Sequence, residues 1–187
     1  MAVNSMIFDL PDGVTLRPLT ESDAEPLLRA YVVNREHLAP WEPRRPPDFY
    51  TLVGQESRAR DRVQLQREGR LSSWALQDEE RIVGTITLSH IELGPFRSAH
   101  LGYWIDSGYT GRGLATAAAN AVCRAADEQL GLHRIEAGTL LDNTASQRVL
   151  ERCGFSRIGV APRYLHIDGA WRDHVLFQRV LHDRPAI

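Results

Sequence analysis

The residues Gly111-Arg112-Gly113-Leu114-Ala115-Thr116 have the types and spacing of a binding device. Before them, residues 99–105 read as a strand. After them, Leu114, Ala118, Val122, Ala126 and Leu130 recur every four residues. That recurrence predicts a helix with one apolar stripe, ending at Gly131. The first amides of a helix have no partner within it, and the dipole is positive at that end. Glycines there let an anion approach the backbone closely, so the chemistry predicted is pyrophosphate binding. The same glycines also suit a plain strand–helix turn that binds nothing. A Walker loop is excluded, because no Gly-Lys-Ser/Thr follows. A dinucleotide fingerprint would place Gly or Ala at Thr116 and would sit among βαβ repeats.

A second set lies downstream. Asn143 precedes a helical stretch that ends at Gly154, where Phe155 can fold back on Leu150. Asn143 and Ser146 have the spacing of a helix cap. Trp41 and Glu42 stand with Arg44 and Arg45 in the proline-rich loop 40–47. There Trp41 reads equally as a core plug, Glu42 as a solvated acid, and the arginines as surface charges. Tyr164 and Trp171 flank Asp168-Gly169, a dipeptide that predicts a tight hairpin. Cys123 and Cys153 form no Cys-x-x-Cys pair, which argues against a disulfide scaffold or a zinc site and for two buried small hydrophobes. No metal site is expected.

The elements that must position these residues follow from periodicity. Residues 14–19 alternate as a first strand. Thr20 then caps a helix carrying Ala24, Leu27, Leu28 and Tyr31. A second helix is expected over 50–67. Strands are expected over 74–77 and 81–89, joined at Asp78-Glu79-Glu80, then over 99–105 and 134–139, with a closing hairpin of 164–167 and 171–177. Hairpins mixed with a single strand–helix–strand passage make the fold class α+β. The 187 residues predict one domain, with its core over about 14–181. Apolar residues at 43% and charged residues at 25% are ordinary for a globular chain. A net charge of −2 supplies no basic face, so no nucleic-acid partner is expected. With no signal peptide and no apolar run of membrane-span length, a cytoplasmic protein is predicted, without a membrane partner.

Taken together, these segments resemble the GNAT superfamily of N-acetyltransferases. Gly111-Arg112-Gly113-Leu114-Ala115 is similar to its acetyl-CoA motif, with Thr110 where that motif has Gln or Arg. Asn143-Thr144-Ala145-Ser146, Val149-Leu150 and Cys153-Gly154-Phe155 resemble its following helix. His37-Leu38-Ala39-Pro40-Trp41-Glu42-Pro43, Leu101-Gly102-Tyr103, His133-Arg134-Ile135 and the run from Tyr164 to Leu176 look like the ribosomal-protein-alanine acetyltransferases of the RimJ/RimL type.

The resemblance implies a mixed, mostly antiparallel twisted sheet of about seven strands with helices on both faces. It implies acetyl-CoA as cosubstrate and an amine as acceptor: a protein or peptide N-terminus, or alternatively a small amine such as an antibiotic, polyamine or amino acid. A CoA-binding module without turnover stays open, and so does a homodimer. Leu101, Tyr103, Trp104 and Ile105 would lie along the pantetheine arm, Gly111 to Thr116 would hold the pyrophosphate, Asn143 would bond the arm, and Ser146 would reach the sulfur. Glu42 would hold the ammonium, with Trp41, Tyr164 and Trp171 walling the cleft. Relatives often carry a glutamate at the position of His100, and some carry one after the last helix, where residues 161–165 have none. Water or His100 is then expected to take the amine's proton. Neutralising an α-amine of pKa about 7.7–8.0 at pH 7 costs roughly 1 kcal/mol, against roughly 4–5 for lysine, which favours an α-amine acceptor.

Overall fold

The computed structural model describes residues 6–185. A short strand β1 (Phe8–Asp9) precedes β2 (Thr15–Pro18). Helices α1 (Ala24–Val33), α2 (Arg35–Leu38) and α3 (Leu52–Arg67) follow. Then come β3 (Ser72–Asp78), β4 (Arg81–Glu92) and β5 (Ser98–Ile105). Helix α4 (Leu114–Leu130), β6 (Arg134–Leu140), α5 (Thr144–Arg152), β7 (Ser156–Ile167) and β8 (Ala170–Val180) complete the chain. The eight strands form one sheet in the order β1-β2-β3-β4-β5-β6-β8-β7. Every neighbouring pair is antiparallel except β5 and β6.

The α+β class and the mostly antiparallel sheet match the expectation; the strand count rises from about seven to eight. The added strand is the two-residue β1, too short to show alternation. The closing hairpin is also longer than expected, because β7 begins at Ser156 and not at 164. Its first residues are exposed on both sides at the sheet's outer edge, so no apolar period marks them. Thr20 does stand at a helical start. The partner there is Asp23, whose carboxylate accepts from the Thr20 N–H at 2.7 Å.

Alternation along the strands divides the core between two faces. Trp74, Leu76, Ile86 and Leu101 pack with the apolar stripe of α4 and with Leu150 of α5. Ala75, Ile82 and Trp104 pack with Leu27, Ala30 and Tyr31 of α1. Helices therefore cover both faces. Among the described residues, no helix is long and apolar enough to cross a membrane.

Candidate active site

The site begins as a defect in the sheet. β5 and β6 run parallel, but their pairing covers only Ser98 with Arg134, Ala99 with Ile135 and His100 with Glu136. Beyond those three pairs the strands part. Among the described residues, the edge of β5 over 101–105 then has no ladder partner on that side, which leaves backbone donors and acceptors to be satisfied by something else. A cleft of about 680 Å³ fills the gap. Leu101, Tyr103, Trp104 and Ile105 line one wall, and Ala137 to Leu140 of β6 line the other. Leu101 and Tyr103 belong to the face covered by α4 and α5, Trp104 to the face covered by α1. The cleft is thus lined by residues of both faces of the sheet.

On the α4 side, Gly111, Gly113, Leu114, Ala115 and Thr116 border the cleft. Gly111 and Gly113 have φ of +77° and +78°, which an L side chain adopts only with strain. A Cβ on either would meet nothing within 4 Å, so the space before this helix start is open. Open room, amides without intrahelical partners and a positive dipole fit a pyrophosphate. Arg112 is the member of the turn that does not line the cleft. Its guanidinium lies over the Tyr109 ring at 4.5 Å and donates to the Gly108 carbonyl at 2.8 Å.

Asn143 and Ser146 also border the cleft. The Asn143 side chain accepts from the Ser146 N–H at 3.1 Å, the cap that the spacing predicts. Ser146 Oγ lies 2.8 Å from the Tyr103 hydroxyl, a contact across elements that sequence spacing does not show. Burial pushes the Tyr103 phenol up to about 12, so it stays protonated near neutrality and can donate to Ser146. With the phenol as donor to Oγ, the serine's own hydrogen is left for a group in the cleft; the Ser146 carbonyl oxygen, 3.3 Å from the same phenol, is its other acceptor.

On the other face, α2 and the proline-rich loop bring His37, Trp41 and Glu42 to the cleft. Glu42 pairs with Arg45 at 2.8 Å, and Arg45 lies over the Phe49 ring at 4.6 Å. The loop is tied to the tip of the closing hairpin. The Asp168 N–H donates to the Glu42 carbonyl at 3.3 Å, and Arg44 reaches the Asp168 carboxylate at 3.5 Å. Gly102 and Gly138 stand on facing walls and keep the opening wide.

Three other residues singled out from the sequence lie outside this cleft. His100 sits where β5 and β6 are still paired, with Nε2 3.3 Å from a Glu136 oxygen. Tyr164 stacks beside His174 at 5.4 Å and does not itself line the wall. Trp171 is 63% exposed, beside the His166 ring, and borders a separate groove with Leu141 and Asp142. Sequence reasoning passed over His37 and His174, which do line the cleft. Their sign in the sequence was membership of the two runs around Trp41 and Trp171. Cys123 and Cys153 are free and buried, and burial raises both thiols, Cys123 to about 12.

Comparison with known proteins agrees with this geometry. Residues 14–156 match the model of the acetyltransferase (GNAT) domain. The chain is 35% identical to the [ribosomal protein uS5]-alanine N-acetyltransferase of Escherichia coli over 167 residues, 88% of this chain and 86% of that one. A ribosomal-protein-S5-alanine acetyltransferase from Vibrio fischeri superposes with a TM-score of 0.92 at 35% identity, over 96% of this chain and all (100%) of that one. RimJ from Mycobacterium smegmatis, solved with CoA-disulfide, gives 0.85 at 36% identity, over 89% of this chain and 81% of that one. A sheet split at its one parallel pair, a glycine turn at the gap and matches over most of the chain lead to one conclusion: this protein is an N-acetyltransferase of the GNAT family.

Proposed function

We propose that the enzyme moves the acetyl group of acetyl-CoA to the α-amine of a protein N-terminus, of the ribosomal-protein kind, by direct attack within a ternary complex. The observation that carries this reading is the cleft lined from both faces of the sheet, with the glycine turn on one side and the Glu42 loop on the other. The relatives from Escherichia coli and Vibrio fischeri, both ribosomal-protein alanine acetyltransferases, support it.

Acetyl-CoA supplies the thioester. The chain's residues then do four things. Gly111, Gly113 and the amides that open α4 hold the pyrophosphate at the positive end of the helix dipole. The unpaired edge of β5 over 101–105 bonds the amides of the pantetheine arm as an added strand would, and a backbone N–H of that edge polarises the carbonyl. Asn143 steadies the arm, while Ser146, with Tyr103 behind it, donates to the departing sulfur. Glu42 shares its carboxylate between Arg45 and the incoming ammonium, fixing the amine at the opposite mouth.

Two peptides test the acceptor. One has a free N-terminus and no lysine; the other is N-terminally blocked and contains lysine. Mass spectrometry of products should show acetylation of the first at a clearly higher rate. Faster modification of the blocked peptide, or of a polyamine, would overturn the assignment. Glu42→Gln should raise KM for the free peptide roughly tenfold, about 1.4 kcal/mol for a charge-assisted bond, with acetyl-CoA affinity unaltered by calorimetry. An unchanged KM would remove Glu42 from the site.

A further inference from the structure

We propose that His174 is the catalytic base that takes the proton from the incoming ammonium, an inference that rests on the acceptor reading above. His174 stands on β8, opposite Leu140 of β6 and Ala161 of β7. Its neighbour Val175 belongs to the core under α4 and α5, so alternation turns His174 to the acceptor face. The residue is 3% exposed, and what it does expose borders the cleft that Trp41 and Glu42 also line.

The tautomer follows from its one hydrogen bond. Nδ1 lies 3.1 Å from the Arg172 carbonyl oxygen. A carbonyl only accepts, so Nδ1 carries the hydrogen and Nε2 keeps a lone pair. Among the described residues no hydrogen bond occupies Nε2, yet it is absent from the sealed polar atoms that lack a partner. That nitrogen is neither bonded nor sealed, on a residue that borders the cleft. Tyr164 holds one side of the ring at 5.4 Å. A Cβ at Gly138 would lie 3.6 Å from the Tyr164 ring and 3.7 Å from the His174 ring, so the glycine leaves the space beside both rings clear. The titratable and charged groups that line the same cleft are Glu42, His37, Tyr103, Tyr109, Arg148 and Arg152; β6 contributes Ala137 to Leu140, none of them titratable, and Tyr164 of β7 stands beside the ring outside the cleft. His100, by contrast, is engaged with Glu136 where the strands are still closed.

The protons balance. The Nε2 lone pair takes one proton as an ammonium N–H bond breaks, leaving a neutral amine and an imidazolium. The amine nitrogen bonds to the carbonyl carbon as the carbon–sulfur bond breaks. Sulfur keeps that electron pair and takes the Ser146 hydroxyl proton, which the proton shed by the new amide nitrogen replaces. The imidazolium releases its proton to water. The net products are amide, thiol and one proton.

The test is the pH profile of kcat/KM with a free-N-terminus peptide, for the wild type and His174→Gln. Without the base, only the amine already neutral in water can react. Near pH 6.5 that is a few per cent of an amine with pKa about 7.7–8.0. The variant should therefore lose on the order of 30-fold at pH 6.5 and only a few-fold at pH 9. Acetyl-CoA affinity and melting temperature should hold. Added imidazole should restore His174→Ala toward wild-type rates, a second route if Gln disturbs the fold. A loss equal at every pH, or no rescue by imidazole in a folded variant, would overturn the base assignment. Failure of the acceptor reading shows separately, as a wild type that prefers lysine or a small amine. The pH dependence of the loss on whichever amine it accepts then still decides His174.

Discussion

At the scale of single residues, the proposed mechanism gives the departure of the thiol to the pair of Tyr103 and Ser146. The phenol is held protonated by burial, and its oxygen is 2.8 Å from Ser146 Oγ. A thiolate is a tolerable leaving group, its thiol having a pKa of about 8.5, so help from Ser146 is worth less than general acid catalysis at its strongest. Ser146→Ala should lower kcat by roughly tenfold, below the usual range for that reason, with CoA affinity nearly unchanged. Tyr103→Phe should cost a few-fold in kcat. It acts through the serine, so the double variant should be no slower than Ser146→Ala alone. Rate constants from single-turnover experiments decide; full additivity would mean that Tyr103 touches the chemistry independently. Ser146 was readable from its spacing to Asn143, because both lie within one helical turn. Tyr103 was readable as a strand residue along the pantetheine arm, by resemblance, but not as a partner of Ser146. Its hydroxyl meets Ser146 across 43 positions of sequence, a distance that no local pattern encodes.

At the scale of elements, the turn into α4 is a local device. Gly111, Gly113, the four-residue apolar recurrence and Gly131 are all consecutive features, and the helix runs from Leu114 to Leu130 as they predict. Gly113→Glu puts bulk and negative charge at the proposed pyrophosphate site. It should weaken CoA binding at least tenfold, about 1.4 kcal/mol, in calorimetry. The left-handed φ adds roughly 1–2 kcal/mol of strain to any L residue, so Gly113→Asn is the control, since asparagine tolerates that conformation. An affinity unchanged in folded Gly113→Glu would dismiss the turn as the anion site. The parting of β5 from β6 was not legible. Each strand has an ordinary apolar alternation, and nothing within either says how many residues its partner will cover. His174 escaped notice for the same reason: β8 reaches the cleft only because it pairs with β6, a neighbour more than thirty residues earlier in the chain.

At the scale of the whole molecule, acid should loosen the fold at an identifiable place. Burial works against the ionised Asp23 carboxyl. Bonds from Arg17 at 2.6 and 2.9 Å and from the Thr20 N–H at 2.7 Å outweigh it and hold the carboxyl below the usual aspartate range. A carboxyl lowered in the native state stabilises it above the unfolded pKa of about 3.9, and that stability is lost as pH falls through the lower native value. Asp23→Asn should therefore cost about 1–3 kcal/mol at pH 7 by urea unfolding, and the gap from wild type should narrow below about pH 4. A gap that stays constant with pH would mean that shape, not charge, makes the contribution. Farther along α1, the fully buried Asn34 donates to Asp106 at 2.8 Å and accepts from the Ser107 N–H at 2.9 Å. It thereby fixes the acceptor-side helices to the chain that leads into the glycine turn. The gap between β5 and β6 has a last consequence, for traffic. On the proposed reading, donor and acceptor use different doors, so neither has to wait for the other to leave. On that reading, a polypeptide still emerging at one doorway leaves the spent thiol's exit clear at the opposite one, and the rate at which the next acetyl group is loaded should not change with the length of the acceptor chain.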